Sequence, residues 1–361
     1  MVPEYSNPEV PEPLRVGVIG ASGWASMAHL PAIAATPGIQ LTAVATSRSE
    51  SARRIAEETG AGQWFTSATE LAACDDVDLV TISVKAPLHR QLVEEVVVAG
   101  KPVLCEWPLG VSTQESELIA DTASQAGITG FIDLQAMANP TLSRLGQIVG
   151  RGTLGTLVSV TVRASRGSKE PIQPAAEYTL DARNGAGTLD ILGGHTLAAL
   201  ATALGRPAVE LLPGGGTSDL VRSRLQTADG GTIDITTPDV AASLIRLRPG
   251  LATVLIQDAD PRPGTEITIT GTRGKARATT VDFGQPRLQQ PQIAGWQAEI
   301  TTGEGRTAFA DPQTALPVPA RNISALYQLI RSDLTGGSSL APTFDSALAI
   351  HRALDTMRDA Q

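Results

Sequence analysis

The chain has 361 residues, 42% hydrophobic and 18% charged, with a formal net charge of −9 and no lysine- or arginine-rich run. That length leaves room for two domains, and the charge argues against nucleic acid or an anionic membrane as partner. No apolar run reaches the ~18 residues of a membrane span, and the two cysteines, Cys74 and Cys105, suggest no disulfide framework or metal site and point to a reducing cytoplasm. The 24 arginines against 4 lysines suggest a GC-rich bacterial gene. Residues 1–13 are acidic and proline-rich, unlike a signal peptide, and are expected to form a disordered tail.

Residues 14–140 alternate strand and helix. Arg15–Gly20 is the first strand, and Gly23–Ala35 is a helix that Pro31 kinks or splits. Ile39–Thr46, Gln63–Phe65, Asp78–Val84, the run ending at Cys105, and Thr129–Leu134 supply five more strands. Between them lie helices over Glu50–Gly60 and Pro87–Ala99, and two opened by the capping patterns Ser67-x-x-Glu70 and Ser112-x-x-Glu115. Such alternation predicts an α/β fold with a doubly wound, parallel Rossmann sheet. Asn139-Pro140 caps a further helix. Residues 141–361 change character. Period-two runs at Gly155–Arg166, Ser218–Thr227, Thr232–Thr237, Ala241–Leu247, Ala252–Gln257, Glu266–Gly271 and Lys275–Thr280 predict a large, mainly antiparallel open sheet. With helices over Thr188–Leu204, Ala320–Thr335 and Phe344–Ala360, this makes a C-terminal α+β domain for substrate and oligomer contacts.

The first strand runs into Gly20-Ala21-Ser22-Gly23-Trp24-Ala25. Gly20, Ser22 and Ala25 hold the three places of a dinucleotide-binding glycine pattern, with Gly23 and Trp24 opening the helix. At the end of the second strand an NAD enzyme usually carries Asp or Glu for the ribose diol. Here Ser47 and Arg48 precede any carboxylate, which favours NADP over NAD because guanidinium suits a 2′-phosphate.

Several segments taken in order resemble the Gfo/Idh/MocA oxidoreductases. They are VGVIGASGWASMAHLPAI, with His29; DLVTISVKAPLHRQLVEEVVVAGKPVLCEWPLG, with His89; GFIDLQAMANPTLSRLGQIVGRGTLGTLVSVTVR; NGAGTLDILGGHTLAAL; TEITITGTRGKAR; and TFDSALAIHRAL. The combination of GWA, Glu106-Trp107-Pro108, NGAG and GGH is similar to the branch of the fungal galactose-pathway repressors, which bind a dinucleotide but act as regulators. The resemblance implies that Glu106, Trp107 and Pro108 flank the nicotinamide, with Glu106 on its ribose, and that Val84, Lys85 and His89 border the cofactor. It also implies a homodimer or homotetramer. Trp107 stands where the family usually has its proton-donating lysine. Ile191 and Ala198 stand where aspartates are frequent, although Asp190 is adjacent.

Hydride transfer to a carbonyl needs a proton donor beside the developing alkoxide. His195 matches the family histidine and is the first candidate for acid and base. Lys85, at the end of the fourth strand, and Tyr178 are further catalytic candidates. Trp107, Gln135, Tyr178, Asp181, Asp190 and His195 are the expected substrate contacts. His29 and His89 are expected to hold local structure, and His351 to be peripheral. The four histidines show no metal-ligand spacing, so no metal is expected. The implied function is an NADP(H)-dependent oxidoreductase acting on a sugar-like or small carbonyl or alcohol. The alternatives are a non-catalytic dinucleotide-binding regulator and an imine reductase.

Overall fold

A computed structural model describes residues 13–282, 284–285 and 288–358. Except for Pro13, the expected tail lies outside them. The first sheet has the order β3-β2-β1-β4-β5-β6, all parallel: β1 Leu14–Ile19, β2 Ile39–Ala45, β3 Gln63–Phe65, β4 Leu79–Ile82, β5 Val103–Glu106 and β6 Gly130–Asp133. Strands β4 and β6 are buried throughout, because helices cover both faces of a parallel sheet.

The expected helix over Gly23–Ala35 is two helices, α1 Trp24–Met27 and α2 His29–Ala35. The break falls at Ala28, three residues before Pro31, whose ring excludes a continuous helical ladder back to Met27. Helices α3 Ser49–Thr59, α4 Ala68–Ala72, α5 His89–Val98 and α6 Thr113–Gln125 fill the crossovers. Ser67 and Ser112 cap α4 and α6 as their spacing predicts, accepting from the N–H of Glu70 at 3.3 Å and Glu115 at 3.2 Å. Asn139 caps α7, Pro140–Gly150, through the Leu142 N–H.

The second sheet has eight strands in the order β16-β15-β14-β13-β7-β12-β11-β8, antiparallel except for β7 with β12. They are β7 Leu157–Ser165, β8 Leu212–Asp219, β11 Val240–Arg246, β12 Leu251–Gln257, β13 Gly264–Gly271, β14 Gly274–Thr280, β15 Trp296–Thr302 and β16 Gly305–Ala310. The expected strand over Ser218–Thr227 is instead the end of β8 and a separate short strand, β9 Arg224–Gln226, which pairs with β10 Thr232–Asp234. Strands β15 and β16 have no counterpart in the expected elements. The central strands alternate buried and exposed residues, so one face of this sheet packs and the other stays open.

A five-residue π-turn at Leu189–Gly193 replaces the start of the helix expected from Thr188, and α8 then runs Gly194–Leu204. The chain closes with α9 Val318–Gly336 and α10 Phe344–Arg358. Helix α9 returns to the first sheet: Leu326, Tyr327 and Ile330 are buried in one core with Ile33 of α2 and Val18 of β1. A second core joins Trp107 and Ile132 of the first unit to Val160, Leu200 and Ile256 of the second. The two sheets therefore meet across buried apolar surface, with a cleft above the carboxyl ends of β1, β4 and β5.

Candidate functional site

The cleft encloses about 1010 Å³ and is lined from both units. At one end is the turn after β1. Gly20 sits at φ +80°, and a Cβ there would overlap the Ser83 carbonyl, so only glycine brings β1 this close to β4. Gly23 sits at φ +56° with no heavy atom near its Cβ position, leaving the backbone bare toward the cleft. Among the described residues, the N–H groups of Gly23 and Trp24 have no backbone partner, whereas Ser22 donates to the Gly20 carbonyl at 2.7 Å. This cradle fits a pyrophosphate. Because α1 has only four residues, the turn's own N–H groups carry the attraction rather than a long helix dipole.

Gly20, Ser22, Gly23, Trp24, Ser47, Val84, Lys85, Glu106, Trp107, Gln135, Tyr178 and His195 all line this cleft. Ala25 and Pro108 are buried beside it and do not line it. His89 is also buried, its ring nitrogens 3.0 Å from the Pro108 carbonyl and 3.1 Å from the Val84 carbonyl, tying two loops together. Arg48 is exposed just beyond Ser47, and its guanidinium has no partner among the described residues. Two expected substrate contacts are directed elsewhere. The Asp181 carboxylate pairs with the Arg183 side chain at 2.6 Å outside the cleft lining. Asp190 accepts from the Gly187 N–H at 3.0 Å and from Arg358.

The expected stacking face of Trp107 is already in use. The indole lies on Gly194, where any Cβ would overlap it, and its ring centroid is 4.5 Å from that of His351. Its N–H donates to the Asp190 carbonyl at 2.9 Å. Trp107 therefore closes the lysine's place as core, and His351, expected at the periphery, is buried beneath it.

His195 lines the cleft and has an unpartnered, buried Nδ1. Burial pushes its pKa down to about 3, so the imidazole is neutral at physiological pH. The expected acid–base role would therefore start from a neutral imidazole. Across from it, the Lys85 ammonium lies 4.6 Å from the centre of the Tyr178 ring. Burial and Glu106 raise the Tyr178 pKa while Arg166 lowers it, which keeps the phenol protonated.

Sequence reasoning missed several lining residues. Arg166 directly follows β7 and pairs with the buried Asp258 side chain at 3.2 Å. Gln290, Gln292 and Ile293 come from the loop before β15. It also missed a cluster at the floor of the cleft. His29, Glu106 and Asp133 bring their side-chain donor atoms within 4.8 Å of one another. They come from α2, β5 and β6, so no spacing along the chain reveals them. Asp133 ends a strand next to Glu106 in register, and the β5–β6 pairing was the one available signal.

Residues 14–133 match the oxidoreductase family model with an NAD-binding Rossmann fold, Gfo/Idh/MocA. The chain is 29% identical to the dehydrogenase aclE of Aspergillus oryzae over 53% of this chain and 55% of that protein. It is 29% identical to dTDP-3,4-didehydro-2,6-dideoxy-alpha-D-glucose 3-reductase of Actinomadura kijaniata over 55% of this chain and 58% of that protein. The matched stretch thus spans about half the length of these curated relatives. Among solved structures, a super-repressor mutant of Gal80p from Saccharomyces cerevisiae superposes with a TM-score of 0.83 at 20% identity, covering 96% of this chain and 95% of that one. The glycine turn, the sheet order and the matched stretch agree: residues 14–133 are similar to the NAD-binding Rossmann fold of the Gfo/Idh/MocA oxidoreductases.

Proposed function

We propose that the chain is an NADP(H)-dependent oxidoreductase of a sugar-like or small carbonyl or alcohol. The observation that carries this reading is one continuous cleft joining the glycine turn to Lys85, Tyr178 and His195. Reversal of strand order between β1 and β4 is the usual crevice for a dinucleotide, which sets its nicotinamide half over β4–β6. A bound nicotinamide supplies or accepts the hydride. The chain's residues manage the oxygen. The Tyr178 phenol gives up its proton as an alkoxide develops, and the Lys85 ammonium over the ring steadies the phenolate. Neutral His195 holds a neighbouring substrate hydroxyl through Nδ1.

Purified protein is mixed with NADPH and a panel of keto-sugars, small ketones and cyclic imines, following loss of the reduced-ring absorbance. Turnover on a carbonyl compound is expected, and Tyr178→Phe lowers kcat about a hundredfold with cofactor affinity unchanged. Tight NADPH binding without turnover on any class favours a second reading, a dinucleotide-binding regulator. Trp107 supports that second reading, because it stands where the resembled family usually has its proton-donating lysine and its one N–H is committed to the Asp190 carbonyl.

The NADP preference rests on the adenosine end. Glu106 is the single carboxylate among the lining residues and lies at the opposite end, so none is present for a ribose diol. Thr46 is occupied by the Arg48 carbonyl at 2.9 Å, leaving the Ser47 hydroxyl and the Arg48 guanidinium, without a partner among the described residues, for a 2′-phosphate. NADPH is expected to bind about tenfold more tightly than NADH, and Arg48→Gln to erase the difference. Equal or tighter binding of NADH by the unsubstituted chain overturns the preference.

A further inference from the structure

The cluster at the floor of the cleft is not used by the reading above. His29 Nε2 lies 2.7 Å from Glu106 Oε1 and 3.3 Å from Asp133 Oδ2. His29 Nδ1 lies 3.0 Å from the Tyr327 hydroxyl of α9, which in turn lies 2.9 Å from the Thr81 hydroxyl of β4. His29, Asp133, Tyr327 and Thr81 are fully buried. Glu106 alone of the three acid–base groups lines the cleft, where the Ser83 hydroxyl donates to it at 3.4 Å. The cluster therefore meets the cleft through one carboxyl group.

Two carboxylates face one imidazole. Burial and the charge of Asp133 push Glu106 up to about 7 against the pull of His29. Burial opposes a charge on His29, but Tyr327, Asp133 and Glu106 outweigh it and hold its pKa well above the ordinary 6.5. The other groups near Glu106 keep their charge across neutrality. The adjacent Cys105 thiol is pushed up by burial, and Tyr178 across the cleft is pushed up as well, so both stay neutral. One proton on Glu106 thus changes the cluster between neutral and singly negative.

We propose that His29, Glu106 and Asp133 form a sealed proton-holding cluster whose charge selects the oxidation state of the bound dinucleotide. Ionised Glu106 favours the cationic oxidised ring, and protonated Glu106 favours the neutral reduced ring. This rests on the reading that places the nicotinamide half over β4–β6. One charge more or less beside the ring in a partly dry cleft changes the relative affinities by about tenfold. By linkage, binding the oxidised form near neutral pH expels the Glu106 proton, and binding the reduced form does not.

The test is calorimetric. Dissociation constants of NADP⁺ and NADPH are measured from pH 6 to 8, with proton release at pH 7 read from buffers of different ionisation enthalpy. The 2′-phosphate is common to both forms and cancels in their difference. The ratio Kd(NADP⁺)/Kd(NADPH) should fall about tenfold as pH rises, with extra proton release for NADP⁺. Both effects vanish in Glu106→Gln. If that variant does not fold, Asp133→Asn serves instead: losing the like charge moves the midpoint to lower pH. In the ligand-free chain, the Glu106 carboxyl carbon should titrate near 7 by NMR rather than near the ordinary 4.5. A pH-independent ratio with both forms bound, or titration near the ordinary value, overturns the proposal. Failure of both forms to bind at any pH overturns the dinucleotide reading instead.

Discussion

Trp107→Ala lowers the stability of the folded chain by about 3–5 kcal/mol, the range for emptying a buried aromatic site. The residue is 6% exposed at the end of β5, where a functional lysine is usual in the family, yet its surroundings are those of a core residue. One ring face rests on the Cα of Gly194 and His351 packs against the indole. Neither neighbour can collapse into the space, since Gly194 has no side chain and His351 is fixed by α10. Removing the indole N–H also strips a partner from the Asp190 carbonyl within the π-turn that leads to His195. Trp107→Phe separates the terms. It keeps most of the volume and loses the N–H bond, so it costs about 1 kcal/mol. Denaturant unfolding of both variants measures the difference. A Trp107→Ala loss below about 1 kcal/mol would mean the side chain is a cleft-wall residue rather than a structural one. Trp107→Lys is expected to be no gentler, because its ammonium would need water where the indole now excludes it.

The same residue shows what a sequence discloses and what it withholds. Capping serines, the glycine turn and strand alternation act over three to six residues, and α4, α6, β1 and the parallel sheet appear where those signals put them. Pairings across long separations leave no such trace. Tyr327 reaches His29 across 298 positions, and Arg358 reaches Asp190 across 168. These contacts decide which polar side chains face the cleft. Asp190 and Asp181 have the chemistry of sugar ligands, but Asp190 is occupied by the distant Arg358, which local reading does not place, and Asp181 by Arg183 two residues on. His195 was legible as a position and not as a chemical state, since its neutrality comes from burial by both units. Strands β15 and β16 were legible in principle: Trp296–Thr302 alternates buried and more exposed residues, and Gly303-Glu304 closes the hairpin.

Acid should destabilise the chain well before its carboxylates titrate. Burial pushes His195 down to about 3, and burial with Arg358 does the same to His351. Burial lowers His89 as well. His195 and His351 are neutral in the fold and titrate near ~6.5 once unfolded, so unfolding below that pH takes up protons and stability falls with pH. Glu106 works in the opposite direction. Its folded pKa of about 7 lies above its ordinary 4.5, so between those values the fold holds a proton that the unfolded chain releases. His29 adds no slope here, being protonated in both states below its ordinary 6.5. Between pH 6 and 5 these two histidines outnumber the single glutamate, and a net uptake of about one proton gives a loss of about 1.4 kcal/mol per pH unit. Urea unfolding at the two pH values measures it. His351→Phe keeps a ring against Trp107 and should remove about 1.4 kcal/mol of that slope by removing one proton. A stability that is flat or rising toward pH 5 would mean these imidazoles are protonated in the fold. The neutral state assigned to His195 would then fall with them.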